Sequence, residues 1–118
     1  MDCISVVQRY FAAWRRGDVE SLTMLLDDEV LATGPLATVR GAKAHASSLV
    51  RSTAMFRDIA VDQMLSDDRF VISWFRFELL DGPTVRVASR CEIVDGVIAS
   101  VEVAFDPRPL IAAGSRSE

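Results

Sequence analysis

The chain has 118 residues, 50% of them hydrophobic and 25% charged, with a formal net charge of −4 at pH 7. This length is enough for one domain with a sizeable core and no stabilising metal or disulfide. Its thirteen Lys and Arg residues are scattered, so no nucleic-acid surface is predicted. No apolar run is long enough for a membrane span, and Cys3 and Cys91 have no metal-binding or redox spacing. We therefore expect a soluble, cytoplasmic protein.

Three helices are predicted in the first half of the chain. Apolar residues recur at helical spacing from Ile4 to Trp14, and Gly17 ends this first helix. Asp18 is the expected N-cap of the second helix. A short strand, 29–33, and a third helix, from 42 to about 54, complete this half.

The second half of the chain is predicted to form an antiparallel sheet. The expected strands span about residues 57–66, 69–80, 84–94 and 97–105. Asp81-Gly82 and Asp95-Gly96 mark two hairpins, because Asp-Gly supplies the positive φ values of tight turns. Helices followed by such a sheet predict an α+β fold with a pocket. We expect a single domain over 1–110 and an irregular tail over 111–118.

Strand alternation predicts an inner sheet face that is almost wholly hydrocarbon. Ser73 and Ser89 are polar residues placed on that face by the alternation. In the last strand, Val97, Ala99, Val101, Val103 and Phe105 are expected inside. Ile98 is expected outside.

The outer face of the same sheet combines an aromatic residue with charges of both signs. Its predicted members are Trp74, Arg76, Glu78, Arg86, Arg90 and Glu92. Exposed ion pairs stabilise a fold weakly, whereas aromatic and arginine side chains are enriched at interface cores. We therefore expect a homodimer through this face, the alternative being an ordinary amphipathic surface.

Four short motifs carry a family resemblance. They are Arg9-Tyr10 through Gly17-Asp18, Val39-Arg40-Gly41, Asp95-Gly96-Val97-Ile98, and Phe105 to Pro109. Their order and spacing resemble the nuclear transport factor 2-like superfamily, which includes SnoaL-like cyclases, ketosteroid isomerases and limonene-epoxide hydrolases. The resemblance implies a cone-shaped, curved, mostly antiparallel sheet wrapped around three N-terminal helices. It does not specify a reaction, because this fold hosts many chemistries.

The resemblance to ketosteroid isomerases is incomplete. Tyr10 falls at the position of their oxyanion-hole tyrosine, but their general-base Asp falls on or beside Gly34. The second oxyanion-hole acid falls near Ser89. Without the carboxylate base, isomerase chemistry is disfavoured.

The resemblance to epoxide hydrolases is also partial. Arg76-Phe77-Glu78 is similar to the Arg-x-Asp of those enzymes, whereas a further Asp is replaced by Val103. Alternation places Arg76 and Glu78 outside, and a register change of one residue would turn them into the cavity.

The prediction is therefore a SnoaL-like protein with a hydrophobic pocket for a small apolar or polycyclic molecule. Tyr10 and His45, the single histidine, are the candidate catalytic residues for acid–base chemistry of the cyclase or isomerase type. Candidate ligand-binding residues are Trp14, Phe56, Phe75, Phe77, Ser89, Val103 and Phe105. No cofactor and no metal are expected. Two alternatives stay open: a non-catalytic binding or dimeric assembly module, and an epoxide hydrolase-like enzyme using Arg76 and Glu78.

Overall fold

The computed structural model describes residues 2–116 and places three helices before most of a six-stranded sheet. The helices are α1 (Cys3–Arg16), α2 (Val19–Leu25), α3 (Ala42–Ser52) and α4 (Arg108–Arg116), with a 3-10 turn at Thr53–Met55. The strands are β1 (Leu26–Thr33), β2 (Thr38–Arg40), β3 (Phe56–Ser66), β4 (Phe70–Leu79), β5 (Thr84–Val94) and β6 (Val97–Ala104). Within the described residues, no helix has the length and apolar character needed to cross a membrane.

Local capping interactions determine the first helical corner. The Asp2 carboxylate accepts a hydrogen bond from the Ser5 amide at 2.8 Å and begins α1. Gly17 adopts a left-handed conformation with φ of 67° and ends the helix. Asp18 then accepts from the Ser21 amide at 3.1 Å and begins α2. The predicted helix boundaries at this corner are confirmed.

The sheet has the strand order β2-β1-β6-β5-β4-β3. Every neighbouring pair is antiparallel except β1 and β6, which are parallel. The helices cover the inner face of this sheet, so the predicted α+β fold is confirmed. The short strand β2 is a finding of the structure; it pairs with β1 after a tight turn in which Gly34 donates to the Ala37 carbonyl.

Alternation correctly predicts the inner face of β4 and β5. The buried residues of the two strands are Val71, Ser73, Phe75, Phe77 and Leu79, and Val85, Val87, Ser89, Cys91 and Ile93. Trp74 lies on the opposite face with 42% of its surface exposed. The predicted assignment of inward and outward side chains on these two strands is therefore confirmed.

The alternation predicted for β6 is wrong at Ile98. Its side chain is fully buried, and Val101 three residues later is also buried, with 3% exposed. The cause is an irregularity in the pairing of β5 with β6, where Ser100 pairs with Glu92 but Ile98 pairs with Ile93. Ala99 is the extra residue of β6 in this pairing. The inward and outward alternation before it is therefore out of phase with the alternation after it.

The irregular tail expected over 111–118 is also corrected. Helix α4 covers residues 108–116, whereas 117 and 118 lie outside the described residues. The Asp106 carboxylate accepts from the Arg108 amide at the start of α4. Leu110 then lies buried against the core, and this tertiary contact favours a helix that local sequence does not indicate.

We predict that Ile98→Ala destabilises the protein far more than Leu65→Ala. Ile98 is fully buried, whereas Leu65, also in a strand, is 61% exposed. Loss of a buried isoleucine side chain costs about 2–5 kcal/mol, against less than about 1 kcal/mol at an exposed site. Urea unfolding measures both free energies. Equal losses would place Ile98 outside the core.

Candidate functional site

A cavity of about 180 Å³ lies between the helices and the inner face of the sheet. All nine predicted site residues line it: Tyr10, Trp14, His45, Phe56, Phe75, Phe77, Ser89, Val103 and Phe105. The structure thus brings these side chains together around one space. Their roles in binding or catalysis stay predictions.

Two helices bring a phenol and an imidazole into contact at the cavity wall. The Tyr10 hydroxyl on α1 and Nε2 of His45 on α3 share a hydrogen bond of 2.8 Å. Only 3% of Tyr10 and 7% of His45 is exposed to solvent. The two rings also stack, with centroids 6.0 Å apart. The pair is therefore a preorganised polar group in apolar surroundings.

Burial keeps both members of this pair uncharged. Desolvation lowers the pKa of His45 from its ordinary value to about 4, because burial disfavours the imidazolium. Desolvation, with a smaller contribution from Cys91, raises the pKa of Tyr10 well above its ordinary value. At neutral pH the pair therefore offers neutral hydrogen-bond donors and acceptors.

Trp14 connects the helices to the aromatic part of the wall. Its indole Nε1 donates to the Leu49 carbonyl at 2.9 Å and to the Ser52 hydroxyl at 3.2 Å, both on α3. Its ring packs edge-on against Phe75 and Phe77 of β4. Because the indole nitrogen is already bonded within the protein, Trp14 serves the cavity mainly as an apolar surface.

Part of the cavity lining does not follow from the sequence pattern. The turn at 34–37 and the helix residue Leu110 both contribute to it. Gly34 approaches Val103 so closely that an added Cβ atom would lie 2.7 Å from the valine Cγ2. The Gly34-Pro35 pair marks this turn in the sequence, but only the pairing of β1 with β2 places it at the cavity.

Two serine hydroxyls on the inner sheet face have no hydrogen-bond partner among the described residues. They belong to Ser73 and Ser89. Ser89 lines the cavity, and Ser73 pairs with it across β4 and β5. Ser73 was placed inward by alternation, but no sequence signal marked it as part of a site.

Arg76 and Glu78 lie outside the cavity. The Arg76 guanidinium donates to both carboxylate oxygens of Asp62, at 2.9 and 3.0 Å, and to Glu78 at 3.2 Å. All three side chains are on the outer side of the sheet. The alternative of epoxide chemistry through Arg76 and Glu78 is therefore wrong for this geometry.

Acidic groups are missing from the cavity wall over the described part of the chain. No Asp or Glu of residues 2–116 lines it. Within the same range, no three His, Cys, Asp or Glu side chains are grouped so that they could hold a metal ion. The side-chain oxygen and imidazole groups of this wall are thus those of Tyr10, Thr33, His45, Ser48, Ser52 and Ser89.

Comparison with known families identifies the chain. A family model described as SnoaL-like domain matches residues 7–101. The chain belongs to the SnoaL-like domain family. A comparison with curated proteins gives no match.

Solved structures share the fold of this SnoaL-like protein. A protein from Kribbella flavida DSM 17836 superimposes with a TM-score of 0.85 at 18% identity, covering 96% of this chain and 93% of that one. A steroid delta-isomerase from Pseudomonas aeruginosa gives 0.78 at 23% identity, covering 95% and 85%. An LEH-like epoxide hydrolase from M. tuberculosis gives 0.76 at 18% identity, covering 96% and 89%. At these identities the likeness shows the fold alone.

We predict that His45 titrates far below an ordinary histidine. Because it is the single histidine, its imidazole proton resonances can be followed by NMR, with a midpoint expected at about 4. Between pH 6.5 and 4 the unfolded chain binds a proton that the folded chain does not, so stability falls on acidification by up to about 1.4 kcal/mol per pH unit. His45→Gln should remove this component. A midpoint near 6.5 would contradict the burial of the ring.

Proposed function

We propose that this SnoaL-like protein binds a small, mostly apolar molecule with an oxygen-containing group in the cavity. The observation that supports this most is the buried Tyr10–His45 pair in a wall that is otherwise largely hydrocarbon. Apolar walls supply affinity, and a few placed polar groups fix the ligand's orientation. A neutral phenol–imidazole pair suits a carbonyl or hydroxyl group better than a charged one.

The cavity volume limits the size of this ligand. An apolar cavity of about 150 Å³ accepts benzene, and this cavity is about 180 Å³. A molecule of one or two rings therefore fits best. A polycyclic ligand of steroid size would require the turn at 34–37 and α4, both at the cavity wall, to move apart.

Acid–base chemistry without a cofactor is the second candidate function. The hydrogen bond between Tyr10 and His45 favours it in one tautomer: when Nε2–H donates to the Tyr10 oxygen, the phenol proton is free for a ligand carbonyl and Nδ1 of the neutral imidazole is the atom that can accept a proton. The structural likeness to a steroid delta-isomerase is consistent with this chemistry but does not establish it. A carboxylate base is not available from the described cavity residues, so His45 would have to act as the base.

We predict that Tyr10→Phe and His45→Gln weaken binding of indanone more than binding of indane. These two probes differ in one carbonyl group, and a hydrogen bond contributes about 0.5–1.5 kcal/mol. The ratio of the two affinities should therefore fall roughly twofold to tenfold in either variant, as measured by calorimetry. Equal losses for both probes would mean that Tyr10 and His45 only shape the cavity. No binding of either probe by the wild type would overturn the proposed function.

The same probe separates binding from catalysis. Protons next to the indanone carbonyl exchange with D₂O when a base removes them, and NMR follows this exchange. Wild-type protein should accelerate the exchange if His45 acts as a base, and His45→Gln should abolish the acceleration. Tight binding with no acceleration would support the non-catalytic binding module.

We also propose a homodimer through the outer sheet face. Trp74 and Ile72 are each more than 40% exposed. Trp74 lies beside Ala88 of β5, which in turn pairs with Ala104 of β6. Because alanine side chains are small, the surface beside Trp74 is flat enough for the Trp74 ring of a second copy to pack there. A symmetric dimer would form two such contacts.

Trp74→Glu should therefore give a folded monomer. The substitution removes the aromatic anchor and introduces a charge into the contact. Leu80→Glu is the matched control, because Leu80 is 55% exposed but lies beyond the end of β4. Light scattering at micromolar concentration measures both masses. A Trp74→Glu protein with the mass of the wild type would exclude this interface.

A further inference from the structure

Two buried hydroxyls form an unsatisfied pair in the sheet wall. Ser73 is fully buried and Ser89 is 5% exposed. Neither Oγ atom has a hydrogen-bond partner among the described residues. Most buried hydroxyls in folded proteins are bonded, so two unbonded ones side by side require an explanation.

The register of the sheet places these hydroxyls next to each other. Ser73 of β4 pairs directly with Ser89 of β5, and directly opposite residues have Cβ atoms about 4.5–5.5 Å apart on one face. A rotation about the side-chain bond can therefore bring the Ser73 hydroxyl into contact with the Ser89 oxygen. The Ser89 proton then stays free for a group in the cavity.

The residues around the pair are apolar on every side within the sheet. Along the strands, the next inward residues are Val71 and Phe75 on β4, and Val87 and Cys91 on β5. Across the sheet, Ser89 pairs with Val103, which also lines the cavity. None of these apolar neighbours can accept the Ser89 proton once Ser73 donates to the Ser89 oxygen, so a partner inside the cavity is the remaining acceptor for that proton.

We propose that Ser89 is a second polar subsite of the cavity, positioned by Ser73, which binds a hydroxyl or carbonyl oxygen of the ligand. This inference rests on the proposed function of the Tyr10–His45 pair. That pair belongs to α1 and α3, whereas the serines belong to the sheet. The ligand class that satisfies both is a one- or two-ring molecule with two oxygen groups, such as a hydroxyketone or a diol.

The test compares three probes of increasing polarity. They are indane, indanone, and the hydroxyindanones that carry a ring hydroxyl away from the carbonyl. At least one hydroxyindanone isomer should bind the wild type roughly twofold to tenfold more tightly than indanone, as expected for one additional hydrogen bond. Ser89→Ala should remove this gain in affinity for the hydroxyindanone. It should leave the ratio of the indanone affinity to the indane affinity unchanged.

The role of Ser73 is tested by its coupling to Ser89. Ser73→Ala should reduce the gain in the wild type but have no further effect in the Ser89→Ala background, because it acts through Ser89. Ser73→Thr, which keeps a hydroxyl, should restore the gain. Independent effects of the two substitutions would remove Ser73 from the subsite.

Stability of the ligand-free protein provides a separate readout. One hydrogen bond between the two serines contributes about 0.5–1.5 kcal/mol, so Ser73→Ala and Ser89→Ala should each still fold and should lower the melting temperature by similar, small amounts. Ser66→Ala, at an exposed end of β3, is the control for the loss of a serine in a strand and should leave it unchanged. A lower melting temperature for Ser73→Ala but not for Ser89→Ala would give Ser73 another partner and remove it from the subsite.

The outcomes distinguish this inference from the proposed function. If indane and indanone bind but no hydroxyindanone binds more tightly, the second subsite is refuted and the proposed function stands. If Ser89→Ala weakens indanone itself relative to indane, both polar groups contact one oxygen and the two-oxygen ligand class is wrong. If none of the probes binds, both proposals fail.

Discussion

The contact of α1 with α3 is the constraint on which the cavity depends. Two hydrogen bonds repeat one helical turn apart on both helices: Tyr10 with His45, and Trp14 with the carbonyl of Leu49. Four residues separate the partners on each helix, so both contacts follow from one register of the two helices. Trp14 also packs on the phenylalanines of β4. A single packing arrangement therefore sets the distance between the helices and the sheet and places the polar pair at the cavity.

The low polarity of the cavity determines what the pair can do. A charged imidazole would be costly in this setting, and with no carboxylate among the described lining residues nothing compensates for that cost. His45 consequently has a depressed pKa, and its bond to Tyr10 joins two neutral groups. Under the proposed function, such a pair orients an uncharged ligand through hydrogen bonds.

Local signals predicted the fold well, but the site depends on contacts that are distant in sequence. The Asp-Gly hairpins, the caps at Gly17 and Asp18, and the alternation in β4 were readable because each depends on neighbouring residues. Ile98 was misplaced because an extra residue in β6 is visible only in its pairing with β5. The bond between Tyr10 and His45 spans 35 residues. The short distance between the two side chains follows from the packing of α1 against α3. The spacing of apolar residues along either helix does not predict this packing.

Gly34 shows how backbone geometry restricts the chemistry of this cavity. An added Cβ atom there would lie 2.7 Å from the Cγ2 atom of Val103, closer than non-bonded carbon atoms normally approach. The resemblance to ketosteroid isomerases places their carboxylate base on or beside this position. A side chain could enter at Gly34 only if Val103, a branched residue with restricted rotamers, moved away. The lack of a base at Gly34 is therefore part of the local packing, which is why the proposed acid–base chemistry is assigned to the phenol and imidazole of the helices.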